Sequence, residues 1–353
     1  MKILVTGGAG YIGSVLVPRL IAEGHEIVVV DNCMFGNNLM GVGGHVLHER
    51  DILDFDPQWL KGVDTVIHLA ALSNDPMANF RPRDNFIYNT AGTALMVFLC
   101  KQAGVRRFIF GSTCSVYGFS ADQEMLESAP VSPKFPYGIS KAQAEQIILS
   151  AQDESFCPLI FRQATVYGWA PRMRFDLVVN TMAKYGVKSG KITVNSPALW
   201  RPLVHIKDLA EAYVSALRLP LDVAGVINIS GGNFRILEVG QEVQKSLAAK
   251  GCKAELELKD EADMRNYRVN TDKAGKLLNF KPTRRISDAV FEILEKFGGA
   301  GNEDWDNPWY INAEVYKERI LKDESQYKLW KKFMEGMKPS DETPWKQWPQ
   351  EAP

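Results

Sequence analysis

Short, near-continuous apolar runs recur through the first half of the chain: KILVTG (2–7), EIVVVD (26–31), DTVIHLA (64–70), RFIFGS (107–112) and PLIFRQ (158–163). Between them lie stretches whose apolar residues return at helical spacing, such as GSVLVPRLIAEG (13–24) and NTAGTALMVFLCKQAG (89–104). A strand that is apolar at almost every position must be covered on both faces, as happens when helices flank a parallel sheet. The alternation therefore predicts an α/β fold, a Rossmann-like doubly wound parallel sheet over residues 1–170.

Beyond residue 170 the alternation breaks. Segments 171–200 and 231–300 read as short helices and strands, interrupted by returns to the sheet near 201–230, including GVINISGG (225–232). This pattern predicts a smaller, discontinuous α/β substrate-binding domain over the C-terminal ends of the strands. Residues 301–353 form a third region that holds five of the eight tryptophans (305, 309, 330, 345 and 348). A disordered tail rarely carries so many aromatics. An arm with one helix over NAEVYKERILKDESQYKLWKKFME (312–335), packed on its own subunit or on a partner, is the expectation.

Composition narrows the function. The 353 residues are 46% apolar, and 41 basic against 42 acidic side chains give a net charge of −1. No overall field favours nucleic acid or a membrane surface, and no run of 18 apolar residues spans a bilayer. The opening MKILVTGG is too short for a signal peptide. Five cysteines (33, 100, 114, 157 and 252) lack C-x-x-C spacing, and five histidines (25, 45, 48, 68 and 205) lack metal-ligand spacing. These patterns point to a reduced, cytoplasmic protein with neither a disulfide framework nor a metal site. His68 and His205 read as core residues on strands.

Two motifs carry chemistry. In ILVTGGAGYIGSVLV, Gly7, Gly10 and Gly13 stand between a strand and a helix, where small residues let the backbone approach a pyrophosphate at a helix N-terminus. Asp31 ends the second strand, 18 residues after Gly13. A carboxylate there accepts from both ribose hydroxyls and repels a 2′-phosphate, which selects NAD over NADP. RDIL (50–53) then puts Asp51 and Ile52 beside the adenine. In FPYGISKAQAEQIILS, Tyr137 and Lys141 share one helix face. An ammonium beside the phenol lowers its pKa from about 10 towards neutrality, so that it exchanges a proton while hydride moves.

With these residues in place, the chain resembles the extended short-chain dehydrogenase/reductase superfamily, in its nucleotide-sugar epimerase/dehydratase branch. The resemblance runs over residues 1–295 through TGGAGYIG (6–13), HLAA (68–71), NTAGT (89–93), STCSVYG (112–118), YGISK (137–141), RQATVYG (162–168), RPLVHIKDLA (201–210) and NYRVNTDKAGKLLNFKP (266–282). It implies that the glycines, with Tyr11, Ile12, Asn32, Leu69, Ala70, Ala71 and Asn89, surround the cofactor. Lys141 would hold the nicotinamide ribose, and Thr113 would relay the proton between Tyr137 and the substrate hydroxyl. It also implies a nucleotide-diphosphate sugar as substrate, met by Ser73, Asn74, Thr113 and Asn180 and by Arg201 with Arg265 or Arg268 on the diphosphate. Arg174 reads either as charge recognition or as a structural ion pair. Members of the branch are usually homodimers, and the apolar stripe in QAEQIILS (143–150) fits that arrangement.

The branch shares oxidation of a sugar hydroxyl, usually at C4. Dehydratases and decarboxylases of the branch place an acid just after the threonine, where this chain has Cys114 and Ser115. A thiol with pKa near about 8.5 and a hydroxyl do not replace a carboxylate in elimination. Epimerisation through a transient 4-keto sugar therefore leads. A 4-dehydrogenase or ketoreductase is the alternative, and a dehydratase or a non-catalytic NAD-binding regulator comes behind. RPLVHI at 201–206 and SNDPMANF at 73–80 depart from the usual family wording, so the sugar need not be galactose or glucose.

Overall fold

The computed structural model describes residues 1–118, 120–260, 266–298 and 304–322. Seven parallel strands form the main sheet, in the spatial order 225–229, 157–163, 107–113, 65–68, 2–6, 26–31, 45–49. The chain starts in the middle, builds outward to 45–49, then crosses back to 65–68 and builds out the other way. The strand order thus reverses between Lys2–Thr6 and Thr65–His68, and a doubly wound sheet opens its ligand crevice at such a reversal.

Alternate residues of each strand face opposite sides, which is why both faces need cover. Ile3 and Val5 pack with Leu16, Leu20, Leu209 and Tyr213 on one side, while Leu4 and Val66 pack with Met96, Phe108, Ile148 and Phe156 on the other.

Smaller sheets stand over the strand ends. Trp200–His205 pairs in parallel with Thr165–Tyr167 and antiparallel with Gly232–Arg235, and Lys191–Asn195 pairs in parallel with Glu255–Lys259. Helices Val178–Lys188, Ile236–Ala248 and Ile286–Phe297 close a separate core around Val179, Ile192, Val239 and Ile293. Two details differ from the sequence pattern. Of the returns near 201–230, only Gly225–Ile229 enters the main sheet, because Trp200–His205 finds its partners in the smaller one. The helix read over 89–104 begins as a π-turn at Ile87–Ala91 and becomes α-helical at Gly92–Gln102.

The described part of the C-terminal region, residues 304–322, packs on its own chain. Helix Asn312–Lys322 buries Ala313 and Tyr316 against Met34, Leu72 and Met77. The Tyr316 hydroxyl donates to Asp84 Oδ2 at 2.6 Å. Trp305 stacks on Phe175. Trp330, Trp345 and Trp348 lie outside the described residues, as does the continuation of the helix beyond Lys322. Among the described residues no helix is long and apolar enough to cross a membrane.

Candidate active site

A cleft of about 1020 Å³ lies over the strand ends at the reversal point. Of the sequence-predicted residues, Gly7, Gly10, Tyr11, Ile12, Gly13, Asp31, Asn32, Asp51, Ile52, Leu69, Ala70 and Ala71 line one end. Ser73, Asn74, Thr113, Tyr137, Lys141, Arg174 and Arg201 line the cleft too, together with Thr193 and Asn195.

The glycine turn is built for close approach. Gly7 follows the first strand with φ +70°, and a Cβ there would come within 2.6 Å of the Ala70 nitrogen. The turn also depends on Gly8, which the glycine spacing did not single out: a Cβ there would come within 2.7 Å of Val29 Cγ1, and a Cβ on Gly13 would meet the Gly8 carbonyl oxygen at 2.4 Å. Gly10 has no such obstruction beyond the Gly7 oxygen at 3.2 Å, so its backbone is bare towards the cleft. Asp31 accepts from the Ala9 amide at 2.9 Å and the Cys33 amide at 2.8 Å. Burial nevertheless raises its pKa, with the two amides opposing the rise. Asn32 donates to Asp51 Oδ2 at 3.0 Å, which ties the second strand's end to the adenine-side loop. A bare backbone over a helix N-terminus, with a carboxylate on the neighbouring strand, fits a dinucleotide without a 2′-phosphate.

The segment GSTCSVYG sorts its polar heads by direction. Ser112 donates to the buried Glu145, which also takes a bidentate ion pair from Arg162, with Nη2 to Oε2 at 2.7 Å. Thr113 Oγ1 accepts from the Ser115 amide at 3.1 Å and lies beside Tyr137. Cys114 turns into the core, donating to the Arg162 carbonyl at 3.1 Å, and burial pushes its thiol pKa up. Ser115 faces Tyr267 across 3.4 Å.

The Tyr–Lys pair departs from the expectation that Lys141 lowers the tyrosine's pKa. Burial pushes Tyr137 up to about 12; Arg174 opposes the rise, Asp75 adds to it and Thr113 opposes it. Lys141 is not among the leading influences. Its ammonium lies 3.9 Å from the centre of the Phe110 ring, and burial lowers its pKa to about 7 against the pull of Glu145.

Above the middle of the cleft is a charged cluster only partly foreseen. Arg174 makes a bidentate pair with Asp176, both contacts at 2.9 Å, and reaches Ser73 Oγ at 3.3 Å. It is thus an ion pair and a cleft wall at once. Asn74 donates to Asp176 at 2.7 Å. Arg172 and Asn312 also line the cleft, although neither stood in a sequence motif, and Asn312 comes from the C-terminal region outside the resemblance.

Three predicted residues are placed elsewhere. Asn89 does not line the cleft; its amide bonds Leu72 N at 2.9 Å, Leu72 O at 3.0 Å and Ser140 at 3.1 Å, clamping the loop that does. Asn180 is fully buried behind the wall, with its side chain used by Gly168 N, the Tyr11 hydroxyl and the Arg174 carbonyl. Arg268 lies 5.2 Å from the Trp200 ring centre, away from the lining. Arg265 lies outside the described residues. The two strand histidines are core residues: His68 is held between Thr6 and Thr93, and burial drops its pKa to about 3. His205 caps the following helix, and burial lowers its pKa to about 4.

A doubly wound sheet, a bare glycine turn and a tyrosine–threonine couple in one cleft define a dinucleotide-dependent acid/base enzyme. The chain belongs to the NAD dependent epimerase/dehydratase family, whose profile matches residues 3–230. UDP-glucose 4-epimerase of Streptomyces lividans is 30% identical over 266 residues, 69% of this chain and 80% of that protein. Among solved structures, UDP-glucuronic acid 4-epimerase from Bacillus cereus, in complex with UDP-glucuronic acid and NAD, superposes with a TM-score of 0.75 at 28% identity, covering 84% of this chain and 98% of that one. TunA, an NAD-dependent NDP-hexosamine 5,6-dehydratase, reaches 0.76 at 26% identity, covering 87% and 99%. NAD is the cofactor.

Proposed function

We propose that this chain inverts C4 of a UDP-sugar, with Tyr137 as acid and base and Thr113 as proton relay. The observation that carries this reading is Thr113 beside Tyr137 in the cleft that also holds the glycine turn. NAD, when bound, supplies the acceptor and then the donor of the hydride. The Ser115 amide bonds Thr113 Oγ1 and leaves its hydroxyl proton free to pass to Tyr137 as the phenolate, while Thr113 takes the proton of the sugar hydroxyl in its place. The same proton returns when the ketone is reduced on its other face, so the residues end the cycle as they began. Lys141 would hold the nicotinamide ribose, and Gly7, Gly10 and Asp31 the remainder of the dinucleotide.

Elimination is disfavoured by the next two positions. Cys114 is turned into the core, and Ser115 meets a phenol, so no carboxylate follows Thr113 to take a proton from C5. Arg201, lining the cleft, suits the sugar nucleotide's diphosphate. UDP is favoured because the relatives above are named for UDP-glucose and solved with UDP-glucuronic acid. Phe98, 57% exposed on Gly92–Gln102 next to the Tyr–Lys helix, supports a homodimer through these two helices, and a cytoplasmic location fits the free cysteines.

The test is incubation with a panel of UDP-, GDP-, CDP- and dTDP-sugars, followed by NMR. A UDP-sugar should give its C4 epimer with no net NADH. A released keto sugar would instead support the 4-dehydrogenase, and a 4-keto-6-deoxy product the dehydratase.

A further inference from the structure

Arg172 has no assigned part in the chemistry above, yet it is only 3% exposed and lines the cleft. Its neighbours place it over the dinucleotide end. Its backbone amide meets Ser14 Oγ, in the helix that follows the glycine turn, at 3.4 Å. Its guanidinium carbon stands 4.3 Å from the centre of the Phe35 ring. The Phe35 loop is itself bound to the turn, since Asn38 donates to Ala9 O at 3.0 Å and to Phe35 O at 3.0 Å. The helix that follows the phosphate-binding turn thus holds the Arg172 backbone, and the loop tied to that turn holds its side chain.

The charge is also poorly compensated. Asp176, the carboxylate in the same loop, is taken bidentately by Arg174. Arg172 bonds only neutral acceptors: Met173 O at 2.6 Å and Asn312 Oδ1. Burial and the neighbouring Arg174 disfavour its charged state, and Asp176 offsets them only in part. A buried cation whose nearest carboxylate is already paired with another arginine is costly unless a bound anion completes it. Asn312, the first residue of the C-terminal helix, holds Nη2 with its oxygen and donates to Ser73 Oγ at 3.1 Å with its nitrogen.

We propose that Arg172 is a binding residue for the dinucleotide's pyrophosphate, and that Asn312 is its positioning residue, so that the C-terminal helix is part of the NAD site. The glycine turn offers only backbone amides and a helix dipole to two anionic phosphates. A guanidinium opposite supplies charge-assisted bonds that the turn lacks. The assignment depends on the dinucleotide site alone and not on which sugar reaction follows.

Calorimetric titration of nucleotide-stripped, full-length protein tests it, with NAD and UDP as separate ligands. Arg172→Met should weaken NAD at least about tenfold and leave UDP within about twofold of the parent. Asn312→Ala should weaken NAD about threefold or more in the parent and not at all in the Arg172→Met background, since a residue that acts through another shows full coupling. Arg172→Gln repeats the measurement should the methionine variant not fold. NAD affinity within twofold of the parent overturns the assignment. So does a loss of UDP affinity as large as that of NAD, which would give the guanidinium to the sugar nucleotide's diphosphate. A loss at Asn312→Ala that persists without Arg172 overturns the positioning role.

Discussion

The ammonium of Lys141 sits over the ring of Phe110, 3.9 Å from its centre, and one helical turn before the buried Glu145. It is a cation stored in the protein interior on the same helix as Tyr137. Its cost is a property of the fold that can be measured apart from catalysis.

The pKa of Lys141 is lowered from 10.5 to about 7 by burial. Between these values the unfolded chain binds the proton that the folded protein has released, so stability contributed here rises with pH across that window. Lys141→Met should therefore melt higher than the parent below pH 7. The gap should close by about 1.4 kcal/mol per pH unit as pH climbs towards 10.5. Thermal melts of both proteins across pH 6 to 10 check the sign, and a gap that widens with pH contradicts it. The variant gains stability and loses turnover, as expected where function keeps an unfavourable charge.

Thr113 lies beside Tyr137, and its Oγ1 accepts from the Ser115 amide. Thr113→Val removes the relay without changing the shape, and kcat should fall roughly 10²-fold with NAD affinity unchanged. Thr113→Ser restores the hydroxyl and should recover most of the rate. Tyr137→Phe should abolish turnover while NAD still binds.

Cys114 is buried and points away from the cleft. Cys114→Ser should change kcat/KM by less than about threefold, and the native protein's Cys114 should resist a thiol-specific reagent that labels it after unfolding. Rapid labelling accompanied by loss of activity would return the thiol to the mechanism.

Gly7 takes φ +70° with its α-carbon against the Ala70 backbone. Gly7→Ala should reduce NAD retained through purification to near zero and lower the melting temperature, because neither backbone can retreat from the added methyl.

The layout of the main sheet and both chemical motifs were legible in the chain, since buried strands, a glycine turn and an i, i+4 pair are local patterns. What stayed hidden depends on direction or on distance along the chain. Asn89 and Asn180 occupy motif positions beside the ligand region, yet their amides are spent on backbone groups, and spacing does not show which way a side chain turns. Lys141 stands on the same face as Tyr137, but Phe110 from the neighbouring strand draws its ammonium aside. Asn312 joins Ser73 and Arg172 across 239 and 140 residues, a meeting no periodicity announces. Arg174 read equally as recognition or as an ion pair, and only the bidentate contact to Asp176 supplies its partner.

The central claim is that hydride leaves C4 of the sugar and returns to C4. A UDP-sugar substrate of this enzyme labelled with deuterium at C4, converted by the protein in ordinary water, tests it most directly. Both epimers should keep the label at C4 with undiminished content. Label lost to solvent, or found at another carbon of the sugar, would contradict the account.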